Sequence, residues 1–214
     1  MTNLPLWNKK RGARALIVAL LLIICGQFSF FAAESEELGS RVLRLHILAN
    51  SDEDSDQQIK LQVRDRILEE TAPLLRDLHN PQEAEQVLSE AMPQILEVAR
   101  DELKEQGSEQ TVQAEFCTEY FPTRTYTDSD GKVFTLPAGT YRSLTIRLGE
   151  GQGHNWWCVM FPSLCLPAVS ETPEQNFTEA ETELIRTSPT DYRFRVWEWA
   201  QETAQWLGGT FGGS

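Results

Sequence analysis

Asn155-Trp156-Trp157-Cys158-Val159-Met160-Phe161-Pro162-Ser163-Leu164-Cys165-Leu166 is the stretch on which the fold turns. It holds two of the four cysteines and two of the six tryptophans. Trp156 to Phe161 reads as a strand rich in aromatic residues. Just upstream, Tyr141 to Leu148 alternates. Arg142, Leu144, Ile146 and Leu148 fall on one side, and Tyr141, Ser143, Thr145 and Arg147 on the other. This second strand reads as the hairpin partner of the first. Gly149-Glu150-Gly151-Gln152-Gly153 joins them. Out of context those glycines look like a phosphate-binding fingerprint. That fingerprint needs a helix after it, so that N–H groups point at the phosphate, and here a strand follows. The segment therefore reads as a hairpin loop.

Further upstream, Arg41 to Ala49 alternates as a half-buried strand, with Leu43, Leu45 and Ile47 opposite Arg44 and His46. His46 reads as a hydrogen-bonded sheet histidine, since no Ser, Cys or Asp stands at a spacing that nominates it as a general base. Asp52, Asp54 and Asp56 resemble the start of a calcium loop, but Gln57 stands where glycine is required and Val63 where glutamate is required. They read instead as caps of the helix that follows. That helix runs from about Asp54 to Thr71, with Pro73 interrupting. A second begins at Asn80-Pro81 and reaches about Gln106, kinked at Pro93. A strand from Thr111 to Thr118 continues as an extended segment to Tyr126, and turns are expected at Asp128–Gly131 and Pro137–Gly139.

At the N-terminal end, Ala15 to Ala33 is a run of 19 uncharged residues behind Lys9, Lys10, Arg11 and Arg14. It reads as a signal peptide or a membrane anchor, with the basic end in the cytoplasm and the rest exported. Cleavage is left open. Beyond Ser170 the chain is acidic and polar to about Thr190. It ends in an amphipathic helix placing Val196, Trp199, Ala200, Thr203 and Leu207 on one face. This face is expected to pack across the sheet, with a membrane surface as the alternative.

The formal net charge is −13. The only charges before Glu34 are the four basic ones, so the remainder is more acidic still. That excludes a nucleic-acid partner, which demands a basic patch. Export matters for the cysteines. With Cys25 in the apolar run, Cys117, Cys158 and Cys165 remain in a compartment where thiols oxidise. A Cys158–Cys165 bridge is expected, against the alternative of three buried thiols. A zinc site from His154, Cys117, Cys158 and Cys165 fits no standard spacing. No metal, cofactor, small-molecule substrate or catalytic set is expected.

The expected fold is α+β: an antiparallel sheet with helices packed on one face, preceded by an N-terminal signal or transmembrane helix. The expected segments are a basic end plus signal or anchor (1–33), a stalk (34–40), the α+β domain (41–169), an acidic linker (170–190), and a terminal helix with a Gly-rich tail (191–214).

Three segments together resemble one family. They are Arg44-Leu45-His46-Ile47-Leu48-Ala49-Asn50-Ser51-Asp52, Leu136-Pro137-Ala138-Gly139-Thr140-Tyr141, and Asn155 to Cys165. In this order behind an export segment they are similar to stage II sporulation protein R. The resemblance implies a signal made in the forespore and exported to the space between forespore and mother cell. There it triggers a membrane-embedded aspartic protease of the mother-cell membrane, which processes the sigma E precursor. It brings no catalytic residues with it. The expected partner contacts are Arg124, Tyr126, Trp156 and Trp157, because exposed aromatic and arginine side chains dominate interface energies. Core packing is the alternative for both tryptophans. Two further functional readings stay open: an exported thiol hydrolase, with Cys117 or Cys158 as nucleophile and His46 or His154 as base, and a cell-envelope adhesion or structural module.

Overall fold

The structure, a computed structural model, describes residues 6–127, 133–162, 182, 185–186 and 196–203. Helix α1 (Leu6–Ser40) leads into strand β1 (Leu43–Leu48). Helices α2 (Asp54–Leu75), α3 (Pro81–Glu90) and α4 (Met92–Glu105) follow. Strands β2 (Val112–Phe121), β3 (Arg124–Thr127), β4 (Val133–Leu136), β5 (Gly139–Leu148) and β6 (Asn155–Phe161) come next. The four long strands form one sheet in the order β2-β5-β1-β6, while β3 and β4 pair as a separate ribbon.

The α+β expectation holds, but the sheet is mixed rather than antiparallel. β1 lies parallel to β5 and antiparallel to β6, inserted between them. The expected β5–β6 hairpin is therefore absent. The 149–153 segment crosses over the end of β1 instead of turning back on β5. Its backbone is tied there: Gly153 N donates to Ala49 O at 2.9 Å, Gln152 N to Asn50 O at 3.1 Å, and Glu150 N to Asn50 Oδ1 at 3.0 Å. Two glycines make the approach feasible. A Cβ on Gly153 would stand 2.1 Å from Ser51 O, and one on Gly149 (φ +53°) 2.2 Å from Asn50 Oδ1.

The aspartates after β1 serve this crossing more than the helix. The N-cap of α2 is Glu53, which makes no capping bond through its side chain. Asp56 is buried and accepts from Ser51 Oγ, Asn50 Nδ2 and Gln110 Nε2 at 2.6–2.8 Å. The Ser51 bond, with those from Asn50 and Gln110, outweighs burial and holds its carboxyl below the usual range. Asp52 takes the His154 backbone N–H. Lys60 is buried beside it and donates to His154 O at 2.7 Å.

Helix boundaries follow local chemistry. α2 runs through Pro73 to Leu75. Asn80 caps α3 by accepting from Glu83 N at 2.8 Å, with Pro81 in the first turn. The expected kink at Pro93 is a break two residues earlier, at Ala91, which separates α3 from α4. Gly107 (φ +68°) ends α4.

One face of the sheet packs against α2, α3 and α4 through Leu43, Leu45, Ile47, Leu144, Ile146 and Leu148, joined by Val63, Ile67, Leu88 and Ile95. Helices do not sit on this face alone. The last turns of α1 pack on the other one, where Phe31, Leu38 and Val42 meet Phe121, Phe134, Leu136, Tyr141 and Val159. Residues 34–40, expected as a stalk, belong to α1 itself. Farther back, α1 exposes Leu16, Ile17, Val18 and the 20–23 run. Among the described residues no helix is long and apolar enough to cross a membrane. Residues 196–203 are helical, but the inward contact is the half-buried Trp197, whose Nε1 donates to Ala138 O at 2.6 Å. Val196 and Trp199, from the face expected to pack, are exposed. Most of 170–190 lies outside the described residues, as does Leu207.

Candidate functional site

Strand alternation fixes the chemistry of the face opposite α2–α4. Every second residue of β1, β2, β5 and β6 points there: Arg44 and His46, Cys117, Glu119 and Phe121, Tyr141, Ser143 and Thr145, and Asn155 and Trp157. The region divides into a hydrogen-bonded cluster and an aromatic cage.

The cluster centres on Glu119. Its Oε2 meets His46 Nδ1 at 2.9 Å, and its Oε1 accepts from Ser143 Oγ at 2.5 Å and Thr145 Oγ1 at 2.8 Å. Burial pushes the Glu119 carboxyl up, but bonds from His46, Ser143 and Thr145 outweigh it and hold the group at about 2. The other His46 nitrogen, Nε2, lies 3.0 Å from Asn155 Oδ1. Both ring nitrogens are thus engaged, as expected of a sheet histidine. Ser143 donates to the carboxylate rather than to the imidazole, so the three side chains do not form a nucleophile–base–acid relay.

The sulfur of Cys117 sits 3.1 Å from Thr145 Oγ1 and 3.6 Å from Ser143 Oγ. Its polar neighbours are hydroxyls, not an imidazole. Cys158 is in a disulfide and buried, whereas Cys25 and Cys117 are free thiols. Cys165, the expected partner of Cys158, lies outside the described residues. His154 is exposed, with Nδ1 at 2.6 Å from Asp52. The nucleophile–base pairs of the thiol-hydrolase reading are therefore not assembled among the described residues. No group of three His, Cys, Asp or Glu side chains positioned for a metal occurs among them either.

The cage lies next to the cluster. Arg44 is fully buried, with its guanidinium carbon 4.1 Å from the Phe121 ring centroid and 4.9 Å from that of Tyr141. Its Nη2 donates to the Tyr126 hydroxyl. Tyr126 in turn stacks on Phe134 at 5.2 Å, so the β3–β4 ribbon roofs the cage. The Tyr141 hydroxyl donates to Pro137 O at 2.6 Å, closing the floor at the β4–β5 turn. Burial pushes the phenol of Tyr141 well above its ordinary range.

The four expected contact residues do not form one patch. Arg124 is exposed and stacks its guanidinium 4.2 Å from the Trp157 ring, and Tyr126 is next to it on β3. Trp157 is half-buried against Phe121 and His46. Trp156, its neighbour on β6, points to the opposite face, packs against the helix-side core and lies under Arg64 at 4.3 Å. Adjacent strand residues must diverge in this way. Arg44 went unnoticed as a site residue because a charge in an alternating strand reads as solvent-facing. Its aromatic partners come from β2, β3 and β5, and no local pattern announces them.

The fold and site define an α+β domain whose sheet carries an aliphatic core on one face and a polar–aromatic one on the other. The family model of stage II sporulation protein R matches residues 39–171. The chain is also 35% identical over 151 residues to a protein named stage II sporulation protein R from Bacillus subtilis (strain 168), covering 68% of this chain and 65% of that one. This chain belongs to the stage II sporulation protein R family. The aligned part thus spans just under two thirds of the length of that relative. No solved structure matches the chain significantly.

Proposed function

We propose that this chain is an exported signal of sporulation. It passes between two compartments and triggers a membrane-embedded aspartic protease of the mother-cell membrane to process the sigma E precursor. It acts as a ligand and not as the protease. The observation that carries this reading is family membership across residues 39–171. Two features support it. The basic cluster followed by the uncharged 15–33 run suits export, with α1 as signal or anchor. The disulfide at Cys158 suits an oxidising compartment. Physically, the chain shifts the protease toward its active form only by binding that form better.

The test co-reconstitutes the full chain with the cognate protease and its sigma precursor in vesicles, and follows precursor cleavage by immunoblot. Cleavage that depends on this chain, and not on an unrelated acidic protein, is the expected result. Unchanged cleavage in the presence of folded chain overturns the proposal.

A further inference from the structure

Among the described residues, the buried Arg44 has no countercharge, and beyond the single bond from Nη2 to Tyr126 its Nε and Nη1 have no hydrogen-bond partner there. Ion pairs of the described residues take up Arg41, Arg64, Arg66 and Arg142, each with a carboxylate. Arg44 enters none of them. Neither does Arg124, whose guanidinium rests on Trp157. Arg124 is close enough to disfavour the Arg44 charge, and both arginines act on the Tyr126 phenol.

A buried position that only needed filling would be served at least as well by a methionine or leucine. Unmet guanidinium donors are expensive to keep dry, and a native orphan of this kind calls for a reason. The guanidinium fork matches one ligand geometry best, a planar carboxylate held by two parallel N–H bonds. Charge points the same way. The carboxylates on this side are already taken up, Glu119 by His46, Ser143 and Thr145 and Glu198 by the Thr123 N–H, which leaves the two guanidinium groups open to an acidic group from outside.

In the roof over Arg44, β4 is anchored by buried Phe134, Thr135 and Leu136, whereas β3, which carries Tyr126, is mostly exposed. β3 and β4 are four residues each and pair only with one another. A two-stranded ribbon is marginal by itself. Its polar tether to β1 is the Arg44–Tyr126 bond.

We propose that Arg124 and Arg44 together receive an acidic side chain of a protein partner. Arg124, seated on Trp157, makes the first contact, and displacement of Tyr126 delivers the carboxylate to the buried fork of Arg44. The identity of that partner rests on the signalling reading above, whereas the carboxylate chemistry does not.

The test uses the full chain in neutral detergent, selectively labelled with ¹⁵N-arginine, and follows the side-chain Nε–H signals of Arg44 and Arg124. The probes are an acetylated, amidated tetraglutamate peptide, its tetraglutamine counterpart, and inorganic phosphate. Saturable shifts of both signals with tetraglutamate, absent with tetraglutamine and weaker with phosphate, are expected. Arg124→Gln and Arg44→Met should each weaken tetraglutamate binding at least tenfold, with unchanged circular dichroism. No shift, equal shifts with tetraglutamine, or shifts with phosphate alone overturn the inference. The same variants then enter the precursor-cleavage assay. A tenfold fall in cleavage ties the site to signalling. Unchanged cleavage despite lost peptide binding leaves the carboxylate site standing and counts against the signalling partnership.

Discussion

The two faces of the sheet are built from the same four strands by different means. The helix-side face is filled by volume: Leu43, Leu45, Ile47, Leu144, Ile146 and Leu148 are fully buried against α2–α4 with no polar group among them. The opposite face is filled by partnership. His46, Ser143 and Thr145 are buried, and Glu119 half-buried, because each bonds to another, and Arg44 is enclosed by rings. The first kind of interior fails when a cavity opens. The second fails when a partner is withdrawn, and it tolerates lost volume better than lost bonds.

The largest effect should come from the aliphatic face. Ile47→Ala, at a fully buried site, is expected to cost about 3–4 kcal/mol in urea unfolding. A loss under about 1 kcal/mol would mean that this face is not the principal core. Next comes the crossing at the end of β1. Gly153→Ala must move the Ser51 carbonyl and should cost about 2–3 kcal/mol by the same measurement.

Glu119→Gln tests the polar face. It keeps the shape but removes the charge that the hydroxyls and His46 surround, at about 1–3 kcal/mol near pH 7. The pH dependence sharpens this. Glu119 titrates at about 2 in the folded chain against an ordinary 4.5. Between those values the unfolded chain binds more protons, so the contribution is complete above 4.5 and is lost as pH falls toward 2. Melting curves across that window should be flatter for Glu119→Gln than for the unaltered chain. An identical acid slope would place the charge's stabilising role elsewhere.

The smallest effect is the most telling. Arg44→Met exchanges an uncompensated buried charge for a side chain of similar length. Stability should stay within about 1 kcal/mol of the parent or rise. A severe loss would show that the cage depends on the guanidinium itself.

Much of this arrangement is legible in the sequence. The alternation in Tyr141–Leu148 assigns Leu144, Ile146 and Leu148 to the core, and that in β1 separates Leu45 and Ile47 from Arg44 and His46. Pairing is another matter. β5 and β6 are close in sequence and look like a hairpin, yet β1, nearly a hundred residues earlier in the chain, lies between them. Alternation states which residues share a face and says nothing of which strand is the neighbour. The terminal helix shows a related limit. Trp197 and Trp199 sit on nearly opposite sides of one helix, and only tertiary contact with Phe31 and Ala138 makes Trp197 the inward one. Trp156 and Trp157, each a candidate contact, face opposite sides of the sheet, since neighbours on a strand diverge.

Helix α1 continues without a break to Ser40, and Phe31 and Leu38 near its end are locked into the polar–aromatic side of the domain. At 1.5 Å per residue its 35 residues make a rod of about 50 Å. A globule on a loose string points everywhere, but one fused to a rod inherits a heading. Whatever fixes the far end of α1 also sets the azimuth of Arg124 and the β3–β4 roof, and twisting the rod turns that face toward or away from anything opposite.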